Sequence, residues 1–221
     1  MARLDLSCRA VLFDLDGVLV DSEPVVARTW QRWAARHDLV IPDLVRRAHD
    51  RRSLETVREV APALNAETEV QWLAAVELRD ADGLRVLPGA ATLFESLPDQ
   101  LRAVVTSGGR ALAEFRLTQV GLSTPAVLVA AEDVSTGKPA PDGYVLAARR
   151  LGLDAAACIV IEDTPAGIAA GNAAGATVIA VATTFPASAL HDAAVVVGSL
   201  DSVQVVTADG LVRLSVTQDI R

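Results

Sequence analysis

Six short apolar runs recur along the chain and constrain its fold more than any other feature. They are AVLF (10–13), AVVT (103–106), AVLVA (126–130), CIVI (158–161), TVIAV (177–181) and AVVV (194–197). Each run is apolar throughout, with many β-branched residues, which is typical of strands that are covered on both faces. Helix-like stretches lie between most of them. This alternation predicts an α/β fold with a doubly wound parallel sheet.

One segment interrupts the alternation. Residues 22–85 contain no strand-like run and are typical of several consecutive helices, the first with Pro24 in its first turn, where proline is tolerated. Both ends of the segment fall in loop-like sequence. We therefore predict a helical-bundle cap domain over residues 18–86, inserted into a core domain that comprises residues 1–17 and 87–221.

The C-terminal segment departs from the α/β pattern. Two partly alternating runs flank Asp209 and Gly210, a pair of residues that favours a tight two-residue turn. We expect a β-hairpin at about residues 203–216, as part of the core domain.

Charge and composition argue against several classes of protein. The net charge of −8 argues against a nucleic-acid-binding surface. No apolar stretch reaches the roughly 18 residues that a membrane helix needs, and the N-terminal sequence lacks the features of a signal peptide. Cys8 and Cys158 lie far apart in the sequence, which favours free thiols in a reducing compartment. We expect a cytoplasmic protein, a monomer or weak dimer, that binds neither nucleic acid nor membranes.

Lys138 is the only lysine among the 20 basic residues of the chain; the others are arginines. A compact ammonium group acts as a point charge, which the planar fork of arginine cannot reproduce. A single lysine kept in an arginine-rich chain therefore indicates a position that requires this point charge.

Acidic residues follow two of the predicted strands, at the edge where ligands bind in open parallel sheets. Asp14 and Asp16 follow the first run, and Glu162 and Asp163 follow the fourth. Together they offer hard oxygen donors of the kind that Mg²⁺ prefers. The sequence therefore predicts a metal site formed by Asp14, Asp16, Glu162 and Asp163.

Other residues at the same edge are suited to an anion. Thr106 ends the second run, and the backbone N–H groups of Ser107, Gly108 and Gly109 are placed to surround phosphate oxygens at a helix N-terminus. Lys138 would supply a positive charge between carboxylate and phosphate. Metal, lysine and amides would together neutralise a dianion that an acidic protein otherwise repels.

Four stretches that contain these residues resemble the four motifs of the haloacid dehalogenase superfamily: FDLDGVLVDSEP, VTSGGR, GKPAPDGY and IEDTPAGIAAGNAAG. The resemblance extends over essentially the whole chain and implies a Rossmann-like core with the α-helical cap of subfamily IA. Within the superfamily the chain is most similar to the sugar and polyol phosphatases, the 2-deoxyglucose-6-phosphatase and glycerol-3-phosphatase group. This finer resemblance rests on RRAHDRRSLETVREVAP in the cap, on TSGGR and on AVATTF at 180–185.

The resemblance implies a Mg²⁺-dependent phosphatase. Asp14 would be the nucleophile that forms an aspartyl-phosphate, and Asp16 the general acid and then the general base. Thr106 would bind the phosphoryl group, and Lys138 would bridge this group and Asp14. Mg²⁺ would be held by Asp14, by the carbonyl of Asp16 and by Asp163, with Glu162 a direct ligand or one that acts through water.

The substrate is expected to be a small phosphorylated sugar or polyol, contacted by residues of the cap. The candidates for these contacts are Glu23, His49, Arg51 and Arg52. A sugar phosphomutase of the β-phosphoglucomutase type stays open, because its core motifs would be the same and Arg51 or Arg52 could bind a second phosphate. A non-catalytic binding protein on the same fold is a further alternative, which the intact set of acidic residues and Lys138 disfavours.

Overall fold

The strands and helices follow the order that the apolar runs predict, with a few additions. The computed structural model describes residues 3–49, 51–208 and 210–217. The strands, in chain order, are β1 (Arg3–Cys8), β2 (Ala10–Phe13), β3 (Val20–Asp21), β4 (Arg85–Val86), β5 (Arg102–Val105), β6 (Leu128–Val129), β7 (Cys158–Glu162), β8 (Thr177–Val181), β9 (Val195–Val197), β10 (Val203–Ala208) and β11 (Leu211–Thr217).

The helices lie in two groups, four before β4 and four after it. They are α1 (Glu23–Arg36), α2 (Leu44–His49), α3 (Ser53–Val60), α4 (Ala66–Glu77), α5 (Ala90–Glu95), α6 (Arg110–Gln119), α7 (Asp142–Arg150) and α8 (Pro165–Ala173). Within the described ranges, no helix combines the length and the apolar character that crossing a membrane requires.

A six-stranded parallel sheet forms the centre of the molecule, in the spatial order β6-β5-β2-β7-β8-β9. Successive residues of a strand point to opposite faces. Val11 and Phe13 of β2 therefore pack into one apolar cluster, and Ala10 and Leu12 into the cluster on the other face. Because both faces are covered, the strands need apolar residues at every position. The predicted α/β fold with a doubly wound parallel sheet is confirmed.

Each of the six apolar runs contains a strand, although the bounds of β5, β6, β7 and β9 differ from the predicted runs. β5 ends at Val105, so Thr106 lies just beyond the strand, although its N–H still donates to the Val129 carbonyl at 2.9 Å. β6 covers only Leu128–Val129 of the predicted 126–130. It is an edge strand that pairs with β5 alone, so its ladder has no second neighbour to extend it.

The four helices between β3 and β4 share an apolar cluster of their own. Trp30 and Trp33 of α1 lie at its centre, with ring centroids 5.2 Å apart in an edge-to-face arrangement, and Val57 and Leu73 pack in the same cluster. β3 and β4 form a short antiparallel pair where the chain enters and leaves this helical segment. The sequence did not predict these strands, because two residues carry no readable periodicity. The exact domain boundaries stay a prediction.

The predicted C-terminal hairpin is present, and it carries a third strand. β10 and β11 pair antiparallel, with Gly210 in the turn at a φ of +72°, while Asp209 lies outside the described residues. β1 adds to the other side of β11. The sequence analysis did not assign β1, although Leu4, Leu6 and Cys8 alternate with polar residues in the manner of a half-exposed strand.

Candidate active site

The polar residues singled out in the sequence converge at the carboxyl-terminal edge of the parallel sheet. Asp14 follows β2, Thr106 follows β5, and Glu162 ends β7, so three neighbouring strands deliver side chains to one place. A cleft between this edge and the helical segment is lined by Asp14, Asp16, Thr106, Ser107, Gly108 and Lys138, together with residues from the cap side such as Trp30, Arg51 and Glu77.

The ammonium group of Lys138 lies between two carboxylates. Its Nζ contacts Asp14 Oδ1 and Glu162 Oε1, and the lysine side chain is only 11% exposed. Burial disfavours the charged form, but Asp14 and Glu162 raise the pKa of Lys138 well above its ordinary value. Lys138 therefore places a buried positive charge against two carboxylates of the site.

Glu162 is fully buried and is bonded on both of its carboxylate oxygens. Besides Lys138, Oε1 accepts from the Tyr144 hydroxyl at 2.8 Å. Oε2 accepts from the N–H groups of Asp163 (2.9 Å) and Thr164 (3.1 Å) and from the Thr164 hydroxyl (3.1 Å). Burial would raise the pKa of Glu162, but Lys138 holds it below its ordinary value. Glu162 thus fixes Lys138 and the start of α8 with respect to each other.

The sequence after Glu162 shows why α8 begins here. Thr164 is the N-cap and its side chain accepts from the N–H of Gly167, while Pro165 occupies the first turn, where a missing N–H is harmless. Gly17 is equally constrained: its φ is +82°, and a Cβ there would stand 1.9 Å from Asp163 Oδ2. Glycine therefore allows the chain to pass directly beside the Asp163 carboxylate after leaving β2.

Three buried carboxylates can share one cation. Asp14, Glu162 and Asp163 each offer an oxygen within 4.8 Å of the others. Burial, with the charges of Glu162 and Asp14, raises the pKa of Asp163 well above its ordinary value, and Asp163 Oδ1 has no hydrogen-bond partner among the described residues. One ammonium cannot balance three carboxylates. The oxygen donors and the unpartnered Oδ1 therefore fit a divalent metal ion.

The loop after β5 has a defined hydrogen-bond pattern. Thr106 is buried, and its hydroxyl accepts from the N–H of Gly108 at 3.0 Å. Gly109 precedes α6, and the N–H of Arg110 at the start of that helix donates to the Glu132 carboxylate at 3.2 and 3.3 Å. An acidic side chain therefore already occupies part of the helix N-terminus. Thr106, Ser107 and Gly108 remain on the cleft side of the loop.

Asp16 has a partner that the sequence analysis missed. Arg116 of α6 places Nη1 2.7 Å from Asp16 Oδ1, and its other terminal nitrogen contacts the carboxylate of Glu77 on α4. All three residues line the cleft. One signal was available: Arg116 stands on the buried face of α6, three residues after Ala113 and one before Leu117, where an apolar residue is expected.

The candidate substrate residues of the cap occupy different places. Arg51 lines the cleft and pairs with Glu59. Arg52 instead contacts Glu55 and donates to the carbonyl oxygens of Val134 (3.4 Å) and Ser135 (3.2 Å), in the loop that precedes Lys138.

The other two candidates lie farther along the helical segment. Glu23 opens α1 and lines a separate cavity with Gly17, Asp21 and Thr184. His49 ends α2, and its side chain is not among those that the structure describes.

Comparison with known proteins decides the family. A model of the haloacid dehalogenase-like hydrolases matches residues 8–175, which contain every residue of the cleft named above. The chain belongs to this family. This hydrolase is 38% identical to hexitol phosphatase A of Escherichia coli (strain K12), over 90% of this chain and 95% of that protein.

Two further matches support the same assignment. The hydrolase is 32% identical to glycerol-1-phosphate phosphohydrolase 2 of Saccharomyces cerevisiae, over 82% of this chain and 78% of that protein. A solved hydrolase structure from Pseudomonas syringae matches with a TM-score of 0.77 at 25% identity, over 86% of this chain and 93% of the other. The resemblance to the superfamily and to its sugar and polyol phosphatases is confirmed.

Proposed function

We propose that this hydrolase is a Mg²⁺-dependent phosphatase that acts on a small sugar or polyol phosphate through an aspartyl-phosphate intermediate. The observation that carries the proposal is the buried Lys138 ammonium between Asp14 and Glu162, beside a loop with Thr106 at its start. The similarity to relatives named as a hexitol phosphatase and a glycerol-1-phosphate phosphohydrolase supports the substrate class.

Asp14 is the nucleophile in this mechanism. A carboxylate oxygen attacks phosphorus in line, an acyl phosphate forms, and the bond from phosphorus to the leaving oxygen breaks. Burial raises the pKa of Asp14 to about 7, against the opposing effect of Lys138. Since only the ionised carboxylate attacks, positive charge at the site has to favour this form, and Lys138 supplies it by direct contact.

Asp16 carries the proton. It protonates the leaving alcohol in the first step, and in the second step it takes a proton from the water that hydrolyses the aspartyl-phosphate. Thr106, Ser107 and Gly108 hold the phosphoryl oxygens together with Lys138, at the position where these four residues line the cleft with Asp14.

Asp14, the Asp16 carbonyl and Asp163 would hold Mg²⁺. When bound, the ion supplies positive charge that stabilises the phosphoryl oxygens and the surrounding carboxylates. Glu162 is the weaker candidate for direct ligation, because both of its oxygens already accept hydrogen bonds from Lys138, Tyr144, Asp163 and Thr164.

The cap, residues 18–86, selects the leaving group and closes over the core, residues 1–17 and 87–221. Of the four cap candidates, Arg51 is supported by its position in the cleft, while Glu23, His49 and Arg52 stay predictions. The phosphomutase alternative has less support, because both curated relatives described above are named for hydrolysis. We further propose a cytoplasmic enzyme, a monomer or weak dimer that binds no nucleic acid, on the basis of its net charge of −8 and two buried free cysteines.

The test is phosphate release from sorbitol 6-phosphate, glycerol 1-phosphate and 2-deoxyglucose 6-phosphate, with Mg²⁺ and with EDTA. We expect turnover that requires the ion, and Asp14→Asn should lower kcat by at least about a thousandfold, the scale seen when a nucleophile is removed. Asp192→Asn, an exposed carboxylate, is the matched control.

Two results would overturn the proposal: turnover that is unchanged in EDTA, or Asp14→Asn with the activity of the control. Glucose 1-phosphate with a bisphosphate activator tests the mutase alternative. Conversion to the isomeric sugar phosphate without phosphate release would favour it.

A further inference from the structure

Arg116 contacts two carboxylates at once, Asp16 of the core and Glu77 of the cap. It lies on α6 of the core, its side chain is 5% exposed, and it contacts Asp16 on one side and Glu77, the last residue of α4, on the other. The Glu77 side chain is 6% exposed and that of Asp16 20%. These three residues therefore form a triad that is largely shielded from water between the two parts of the molecule.

The guanidinium group of Arg116 is charged, and this charge offsets the repulsion between the carboxylates of Asp16 and Glu77. Burial alone would lower the pKa of Arg116, but Asp16 and Glu77 together raise it. One positive charge thus serves two acidic groups. Without Arg116, the Asp16 and Glu77 carboxylates would face each other across a poorly solvated space, and like charges there repel strongly. Asp16, the more exposed of the two, would turn away from its position.

Arg116 holds both carboxylates by short contacts. Its Nη1 lies 2.7 Å from Asp16 Oδ1. Its Nη2 donates a hydrogen bond to the Glu77 carboxylate. Arg116 is therefore anchored by the cap residue on one side and fixes the position of the Asp16 carboxyl group on the other.

We propose that Arg116 is a positioning residue for the proton transfer by Asp16, and that Glu77 holds Arg116 in place from the cap. The proposal rests on the proposed function, in which Asp16 protonates the leaving oxygen. In this role Arg116 acts on the reaction through the Asp16 carboxyl group. It sets where the Asp16 carboxyl group lies when the bond from phosphorus to oxygen breaks and the proton passes to the departing alcohol.

The role is visible in how the rate depends on the leaving group. An alkoxide leaves a phosphate monoester only if it is protonated, so glycerol 1-phosphate needs Asp16 in position. The p-nitrophenolate group leaves without a proton, so the first step with p-nitrophenyl phosphate does not. The second step, in which Asp16 activates water, is the same for both substrates and does not enter kcat/KM. Loss of fold or of phosphate binding would slow both reactions alike, whereas loss of proton transfer slows mainly the first.

The experiment measures kcat/KM of Arg116→Met, Arg116→Lys and Glu77→Gln on both substrates with Mg²⁺, because kcat/KM reports phosphoryl transfer to Asp14 and not the later hydrolysis that both substrates share. For Arg116→Met we expect kcat/KM on glycerol 1-phosphate to fall about a hundredfold, near the lower end of what general acid catalysis contributes. On p-nitrophenyl phosphate we expect a fall of less than about fivefold, since little proton transfer is needed there. Arg116→Lys should recover part of the loss, and Glu77→Gln should show the same preference with a smaller loss.

Arg102→Met is the matched control. Arg102 is also buried, with its side chain 7% exposed, and it also pairs with two carboxylates, Glu95 and Asp99, but it lies outside the cleft. It should affect both substrates equally. If Arg116→Met is poorly folded, the double variant Arg116→Met with Glu77→Gln removes the unpaired cap charge and is measured in its place.

The outcomes separate the two proposals. An equal loss of kcat/KM on both substrates in Arg116→Met or in the double variant would overturn the positioning role and leave a structural one. A wild-type enzyme that releases phosphate from neither substrate would instead overturn the proposed function.

Discussion

Gly167 lies against the carboxylate of Glu162 so closely that a Cβ on the glycine would stand 1.7 Å from Oε1 and 2.2 Å from Oε2. Gly167 is in the first turn of α8, and its N–H is used by the Thr164 cap. The helix therefore starts directly over the group that holds Lys138. The IEDTPAG sequence thus determines part of the geometry of the cleft. It supplies the Glu162 carboxylate, the Thr164 N-cap of α8, and a glycine, Gly167, that leaves room for the carboxylate.

Gly167→Ala is expected to destabilise the enzyme, although the residue is helical. Helix propensity alone would make alanine stabilising by about 1 kcal/mol. The clash with a buried, fully bonded carboxylate outweighs this gain, and overpacking of this kind costs typically about 1–3 kcal/mol. We expect a lower free energy of unfolding in denaturant and a reduced kcat, because Glu162 and with it Lys138 must shift.

Ala169→Ser, on the exposed side of the same helix, is the control for Gly167→Ala. Greater stability of Gly167→Ala with unchanged kcat would show that Glu162 can move aside without consequence.

Local sequence was enough to predict the sheet and most of the cleft. Strands covered on both faces are apolar at every position, so their ends are readable, and Asp14, Thr106 and Glu162 stand at those ends. Because parallel strands deliver their carboxyl ends to one edge, reading the ends also locates the cleft. Chemistry that depends on single strand ends is therefore visible without a structure.

Pairings between distant segments were not predictable. Arg116 contacts Asp16 and Glu77, which lie far from it in the sequence, and nothing within α6 specifies which acidic residues this buried arginine will contact. Arg52 donates to the carbonyl oxygen of Ser135, a backbone partner that has no side-chain signature in the sequence, and its contact with substrate stays a prediction. β1 was missed for a related reason, since its strand is specified by pairing with β11 at the other end of the chain.

Lys138→Arg tests whether the site needs an ammonium in particular. The Lys138 side chain is 11% exposed between two carboxylates, with Nζ 5.3 Å from the centre of the Tyr144 ring, so a larger planar group has no room to keep both contacts. We expect a folded protein whose kcat is lower by about a hundredfold or more, since the charge would be displaced from the reacting carboxylate.

Arg58→Lys is the control, because it also exchanges lysine and arginine but does so in an exposed ion pair with Glu67. This variant should retain full activity. Full activity of Lys138→Arg as well would mean that charge alone suffices at this position.

Arg51 and Arg52 are neighbours that should respond differently to the same change. Arg51 lines the cleft, so Arg51→Ala is expected to raise KM for the sugar phosphate by about tenfold with a smaller effect on kcat, the result of losing uniform binding. Arg52 bridges the cap to the loop before Lys138, so Arg52→Ala should lower kcat and speed limited proteolysis near Ser135. The two variants control for each other. Identical kinetic effects from both would contradict the difference in placement.

Glu69→Gln is expected to weaken the cap in a manner that depends on pH. Glu69 Oε2 lies 2.9 Å from Trp33 Nε1 and 2.9 Å from His37 Nε2, at the edge of the cap's apolar cluster. Burial would raise the pKa of Glu69, but the hydrogen bonds from His37 and Trp33 hold it below its ordinary value of 4.5. A carboxylate whose pKa is depressed in the folded state stabilises the fold above pH 4.5, and this stabilisation is lost as the pH falls through the folded-state pKa.

At pH 7 the free energy of unfolding of Glu69→Gln should therefore be about 1.5–3 kcal/mol lower than that of wild type, the usual contribution of hydrogen bonds to a charged group. The deficit should shrink as the pH falls below 4.5, because protonated glutamate and glutamine are alike in charge. Urea unfolding followed by tryptophan fluorescence measures both values, because the three tryptophans of the chain, Trp30, Trp33 and Trp72, all lie in the helical segment. Glu67→Gln, an exposed residue of the same helix paired with Arg58, should remain close to wild type throughout. A deficit for Glu69→Gln that stays constant or grows in acid would show that Glu69 acts through packing and not through its charge.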